Sequence, residues 1–185
     1  MPKTHPVEIA GIKRELPLVE VAPGVTIALL NIIGDVELVR AAANGLAAKL
    51  AGIDFDTLVT AEAKSIPLIH VLAEETDKPY VVLRKTYKAY MGNAISAETV
   101  SITTGQPQTL YLDEKDQMLV AGKRVVLVDD VVSTGSTQQA MRAVVEKAGA
   151  EIAAEAAILT EGEPAKWAHI IALGHLPLFL DEKET

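Results

Sequence analysis

The residues best suited to chemistry lie in one run, Val125-Val-Leu-Val-Asp-Asp-Val-Val-Ser-Thr-Gly-Ser-Thr137. Branched apolar residues lead into two acids, then a hydroxyl-rich turn around Gly135, and a helix-like segment follows from Gln138. That order describes a buried strand ending in a ligand-binding loop that runs into a helix. A helix N-terminus offers unpaired N–H groups and a partial positive charge, so a phosphate is held there without a basic side chain. Gly135 lets the backbone approach closely, and Ser133, Thr134, Ser136 and Thr137 add hydroxyl donors. Asp129 and Asp130 would repel the phosphate; they suit sugar hydroxyls, directly or through a divalent metal. A phosphate at one end and a diol at the other describes a ribose 5-phosphate. The plainer alternative is a capping turn beside a solvated pair of acids. The full order of strand, acid pair and T-G-S-T weighs against it, and no Walker A lysine pattern occurs.

This run resembles the signature with which type I phosphoribosyltransferases bind 5-phosphoribosyl-1-pyrophosphate (PRPP). The resemblance implies that Asp129 and Asp130 meet the ribose hydroxyls and a magnesium ion, while Ser133 to Thr137 cradle the 5′-phosphate. A second segment, Thr60-Ala-Glu-Ala-Lys-Ser-Ile-Pro67, is similar to the Glu-Ala-Arg-Gly pyrophosphate loop of adenine phosphoribosyltransferases, with Lys64 for arginine and Ser65 for glycine. It implies pyrophosphate binding by Ala63, Lys64 and Ser65, and a non-proline cis peptide in the loop. Arg84-Lys85 matches the family's Arg-Lys pyrophosphate contact, with Lys88 as a further candidate. The segments Pro23-Gly-Val25 and Leu173 to Leu180 also look like the adenine enzymes, and Thr60 to Lys85 with Val125 to Thr137 like archaeal-type hypoxanthine enzymes.

What the resemblance implies is transfer of the phosphoribosyl group from PRPP to a purine, adenine or hypoxanthine, giving a nucleoside 5′-monophosphate and pyrophosphate in purine salvage. A homodimer is implied with it. Ser133 stands where the common 6-oxopurine enzymes carry an aspartate, and Glu98 is the nearest match to the adenine enzymes' lid glutamate, the candidate catalytic acid or base. The alternative from another class is a non-catalytic regulatory protein that senses PRPP.

The elements that must position these residues alternate between strand and helix, which points to an α/β fold: an open, mostly parallel sheet with helices on both faces. Apolar residues from Val36 to Leu50 recur at helical spacing after Asp35, a candidate cap. Strands are expected at Leu58–Thr60, Tyr80–Leu83, Val125–Val128 and Ile152–Thr160, and helices at Lys64–Thr76 and Gln138–Ala148. Residues 86–118 interrupt the rhythm with two alternating runs, Glu98–Ile102 and Gln108–Leu112, and are expected to form a β-arm or lid. Residues 1–35 are expected to form an N-terminal hood over the sheet's C-terminal edge. Tyr87, Tyr90, Tyr111, Trp167 and Phe179 read as packing before base stacking, and the histidines lack metal-ligand spacing.

At 185 residues and 49% hydrophobic content the chain suits a single domain spanning 1–185. It has no cysteine, no apolar leader and no run near the roughly 20 residues needed to cross a bilayer, so a cytoplasmic protein without membrane partners is expected. A formal charge of −8 argues against nucleic-acid binding. Yet Lys78 to Ala97 holds Lys78, Arg84, Lys85 and Lys88 and no acid, which suits a small polyanion.

Overall fold

A computed structural model describes residues 3–100 and 107–180. Its centre is a five-stranded, fully parallel sheet built from β4 (Thr57–Ala61), β5 (Tyr80–Leu83), β8 (Arg124–Val132), β9 (Glu151–Glu161) and β10 (Ile171–Leu176). The strand order is β10-β9-β8-β4-β5. Among the described residues three α-helices pack on the sheet: α1 (Val36–Leu50), which leads into β4, α2 (Ile66–Thr76), between β4 and β5, and α3 (Ser136–Lys147), between β8 and β9. The chain thus has the expected α/β architecture, and its inner strands β4 and β8 are buried on both faces, as covered parallel sheets require.

Strand alternation divides the core in two. Val126 and Val128 of β8 face α1 and α2, packing with Leu38, Leu46, Leu68 and Leu72, while Val125 and Leu127 face α3, packing with Met141, Val144 and Val145. Asp35 caps α1 by accepting a hydrogen bond from the Leu38 N–H at 3.1 Å. The same Asp35 is paired with Arg14 at 2.8 Å, fastening the helix start to the N-terminal segment.

That segment forms strands β1 (Thr4–Ile9), β2 (Ile12–Ala22) and β3 (Val25–Ala28). With β11 (Phe179–Leu180) they make an antiparallel sheet of order β1-β2-β3-β11. The β1–β2 turn has positive φ at both Ala10 (49°) and Gly11 (83°), the conformation of a two-residue type I′ hairpin. Ile9 and Leu16 bury themselves in the α1-side core. Because β11 follows directly on β10 and pairs with β3, this hood is fastened at the C-terminal end of an edge strand of the central sheet.

The expected β-arm is an antiparallel hairpin of β6 (Ile95–Val100) and β7 (Pro107–Leu112). Ser101 and Ile102, the end of the first alternating run, lie outside the described residues. The hairpin lies along α3, where the Lys147 ammonium donates to the Ser96 carbonyl at 2.8 Å. Leu110 and Leu112 enter the α3-side core, and the Arg84–Tyr111 backbone pair ties β7 to the end of β5.

Candidate active site

Placing β4 beside β8 brings the two chemistry-bearing loops together at the C-terminal ends of neighbouring strands, the edge where open α/β sheets bind ligands. Between the loops lies a cavity of about 250 Å³ lined by Ala61, Glu62, Ala63, Lys64, Ser65, Lys85, Asp129, Asp130, Val131 and Thr137. Strand β8 runs four residues beyond Val128, so the acids are part of it, and each is only 8% exposed.

Two adjacent buried acids repel each other and lose their hydration. The Asp129 carboxyl is pushed up to about 7, first by burial and then by the neighbouring charge of Asp130. Two donors pull the other way: the Asp130 N–H reaches Asp129 Oδ1 at 2.9 Å, and the Ser65 hydroxyl reaches the same oxygen at 3.0 Å. Ser65 also reaches Asp130 Oδ1 at 3.4 Å, so its side chain serves the acid pair. Buried acids so arranged suit a cation or hydroxyl donors at the cavity. Among the described residues no group of three or more His, Cys, Asp or Glu could hold a metal, so this pair would bind one only with further ligands from substrate or water.

After β8 comes the hydroxyl loop. Gly135 has φ of +81° and stands at the N-cap of α3, which carries no side-chain cap. Thr134 Oγ1 accepts from the Ser136 N–H at 3.3 Å and lies 3.0 Å from the Ser136 hydroxyl. The helix starts at Ser136, two residues earlier than periodicity suggests, so Ser136 and Thr137 belong to its first turn. Likewise α2 starts at Ile66, leaving Lys64 in the loop, and Ser65 makes no cap because it bonds the acids. Both helix starts at the cavity are therefore without side-chain caps, whereas α1, whose start is held by Arg14 and Asp35, is capped. At α2 the Ile66 N–H donates to the Ala63 carbonyl at 3.3 Å and Pro67 has no N–H, so the first turn of α3 beyond Ser136 is the better place for an anion.

The Glu62–Ala63 peptide bond is cis, in the loop for which the resemblance implied one. A phosphoribosyl transferase domain model matches residues 29–172. The chain belongs to the phosphoribosyltransferase family. It is 36% identical over 130 residues to a hypoxanthine/guanine phosphoribosyltransferase of Methanotorris igneus, covering 70% of this chain and 67% of that one. It is 39% identical over 113 residues to a protein of the same name from a Methanocaldococcus species, covering 61% of this chain and 54% of the relative. The matched stretches thus span about half to two thirds of these relatives. Among solved structures, adenine phosphoribosyltransferase from Thermoanaerobacter pseudethanolicus superposes with a TM-score of 0.67 at 22% identity, over 94% of this chain and 95% of the other. The enzyme of Giardia lamblia in complex with 9-deazaadenine gives 0.66 at 16%, over 93% of each. At these identities the likeness establishes the type I phosphoribosyltransferase fold.

Within this family fold, not every residue singled out from the sequence reaches the cavity. Lys64 and Lys85 line it, but Arg84 does not. Consecutive residues at a strand end point to opposite sides, so Arg84 and Lys85 diverge. Arg84 Nε donates to Glu62 Oε2 at 2.6 Å, and the Lys85 N–H donates to Glu62 Oε1 at 2.6 Å. Arg84 then opens onto a separate groove with Tyr80, Val82, Asp113, Lys115 and Asp116. Lys88 begins a 3₁₀ turn, Ala89–Met91, outside the cavity lining. Glu98 sits exposed on β6 opposite Thr109 and is likewise outside it. Glu62, in the sequence only the glutamate of the Glu-Ala-Arg-Gly-like loop, is the carboxylate that ties the β5 exit to the β4 loop. Its position one residue past a buried strand was the available signal.

Proposed function

We propose that this protein is a purine phosphoribosyltransferase. It transfers the 5-phosphoribosyl group of PRPP to adenine or hypoxanthine, releasing pyrophosphate and a nucleoside 5′-monophosphate for purine salvage. The observation that carries the reading is the meeting, in one cavity, of a buried acid pair, Thr137 from the first turn of α3 and two lysines. A substrate with a diol between a phosphate and a pyrophosphate matches that arrangement. The names of the sequence relatives favour a purine as acceptor.

In this reading Ser133, Thr134, Gly135, Ser136 and Thr137 hold the 5′-phosphate through first-turn N–H groups and hydroxyls. Asp129 and Asp130 accept hydrogen bonds from the ribose hydroxyls. Lys64, Lys85 and the backbone from Ala63 to Ser65 bind the pyrophosphate as it leaves. Bond breaking at C1 develops positive charge on the sugar and negative charge on the leaving group, so buried acids on one side and lysines on the other stabilise both. The acid pair fits magnesium, which would neutralise pyrophosphate charge and orient the donor. The whole chain acts as one phosphoribosyltransferase domain, with residues 1–35 as hood and 86–118 as a lid that limits access of water. It works as a homodimer in the cytoplasm.

The test is release of pyrophosphate from PRPP and magnesium with adenine, hypoxanthine, guanine, xanthine, uracil and orotate in turn. Turnover with adenine or hypoxanthine is expected. Turnover confined to a pyrimidine would overturn the purine assignment.

A further inference from the structure

Beneath the hydroxyl loop lies a small apolar cluster of Val132, Ala157, Trp167 and Ile170, separate from the two larger cores. Val132 is the residue directly before the loop, and Trp167 ends a 3₁₀ turn, Pro164–Trp167, that follows β9. The indole is 8% exposed, and a Cβ placed on Gly135 would lie 2.7 Å from its Cη2 and 3.1 Å from its Cζ3. The loop backbone therefore rests on the ring itself. The ring in turn is fixed: Nε1–H donates to the Glu161 carbonyl at the end of β9 at 2.8 Å, and the Lys166 ammonium sits 4.5 Å from the ring centroid.

From this contact we infer that Trp167 is a positioning residue for the phosphate-binding loop: its indole is the floor that holds Gly135 and the first turn of α3 in the geometry that receives the 5′-phosphate. The inference rests on the reading of that loop given above. The physical need is specific. The loop has positive φ at Gly135, and its own bonds run only between Thr134 and Ser136, so they shape the turn without fixing its height over the sheet. A close-packed ring below resists collapse, and misplacement by about 1 Å is enough to lower activity on the order of a hundredfold. Trp167 is also the only tryptophan of the chain, so tryptophan fluorescence reports on this one site beneath the loop.

The experiment uses two probes that share no group of the sugar, ribose 5-phosphate and inorganic pyrophosphate, each titrated into the full-length protein with magnesium. In the wild-type protein ribose 5-phosphate shifts the tryptophan emission and pyrophosphate does not. Trp167→Leu weakens ribose 5-phosphate about tenfold by calorimetry and leaves pyrophosphate within twofold; Trp167→Phe, which restores a ring, recovers most of the loss. Equal weakening of both probes, or unchanged ribose 5-phosphate affinity in Trp167→Leu, would overturn the inference while leaving the loop's function standing. If the leucine variant does not fold, unchanged wild-type emission at saturating ribose 5-phosphate overturns it instead. A wild-type protein that binds pyrophosphate but not ribose 5-phosphate brings down the reading of the loop, and this inference with it.

Discussion

The decisive residues are two acids that the sheet places in an unfavourable position. The Asp129 carboxyl holds its proton more tightly in the folded chain than in the unfolded one, because burial and the Asp130 charge penalise its ionised form. The folded state therefore binds more protons between the ordinary aspartate range and about 7. The stabilisation this group contributes is fully present at low pH and is lost as pH rises through that window. Asp129→Asn removes the conflict, so the ligand-free variant should be more stable than the wild type at pH 8, by roughly 1–3 kcal/mol, with the difference closing toward pH 4. Urea unfolding at both pH values measures it, and a variant no more stable at pH 8 than at pH 4 relative to wild type contradicts the account. The paired change Asp129→Asn with Asp130→Asn should lower kcat/KM by at least about a thousandfold, a loss of roughly 4 kcal/mol in transition-state stabilisation, with the circular dichroism spectrum unchanged. Lys85→Met should raise the KM for PRPP by about tenfold or more, in steady-state kinetics at fixed purine, because it removes one of the two lysines at the cavity.

At the scale of elements, much was legible from pattern alone. Val36–Leu50 was read to the residue, since its apolar spacing and its Asp35 cap agree. Where the reading fell short, a tertiary partner had overruled local preference. Acids are poor strand formers, so local preference ends the central strand at Val128, yet pairing with β9 carries it to Val132. Strands β1 and β2 went unrecognised because their turn is Ala10-Gly11, where alanine adopts a positive φ that asparagine would have advertised. Arg84 and Lys85 read as one basic pair, but strand alternation separates them and Glu62 claims the first. A test belongs to the start of α1. Asp35 is held below the usual carboxylate range, chiefly by the Arg14 guanidinium, with the Leu38 N–H also contributing. Its contribution is present above the ordinary aspartate pKa and is lost as pH falls through the folded value. Asp35→Ala should therefore cost about 1–2 kcal/mol at pH 7 and progressively less as pH falls below the ordinary aspartate range, while Asp35→Asn keeps the cap and loses only the ion pair. Equal losses for both variants at pH 7 would mean that the cap contributes nothing.

For the whole molecule, composition and alternation pointed to a parallel α/β sheet but could not order its strands. That order matters most, because only the adjacency of β4 and β8 turns two loops 65 residues apart, Ser65 to Asp130, into one cavity. The hydrogen bond between Ser65 and the acids is a product of topology, invisible in either segment alone. The same holds for Trp167, whose packing beneath Gly135 depends on how β9 returns beside β8. The most direct test of the central claim is therefore chemical and uses the intact protein: pyrophosphate release from PRPP and magnesium with adenine or hypoxanthine. Turnover to the nucleoside 5′-monophosphate is expected, abolished by the paired Asp129 and Asp130 substitutions. Tight PRPP binding with no pyrophosphate released for any base would contradict it, and would make the protein a sensor of PRPP instead of an enzyme.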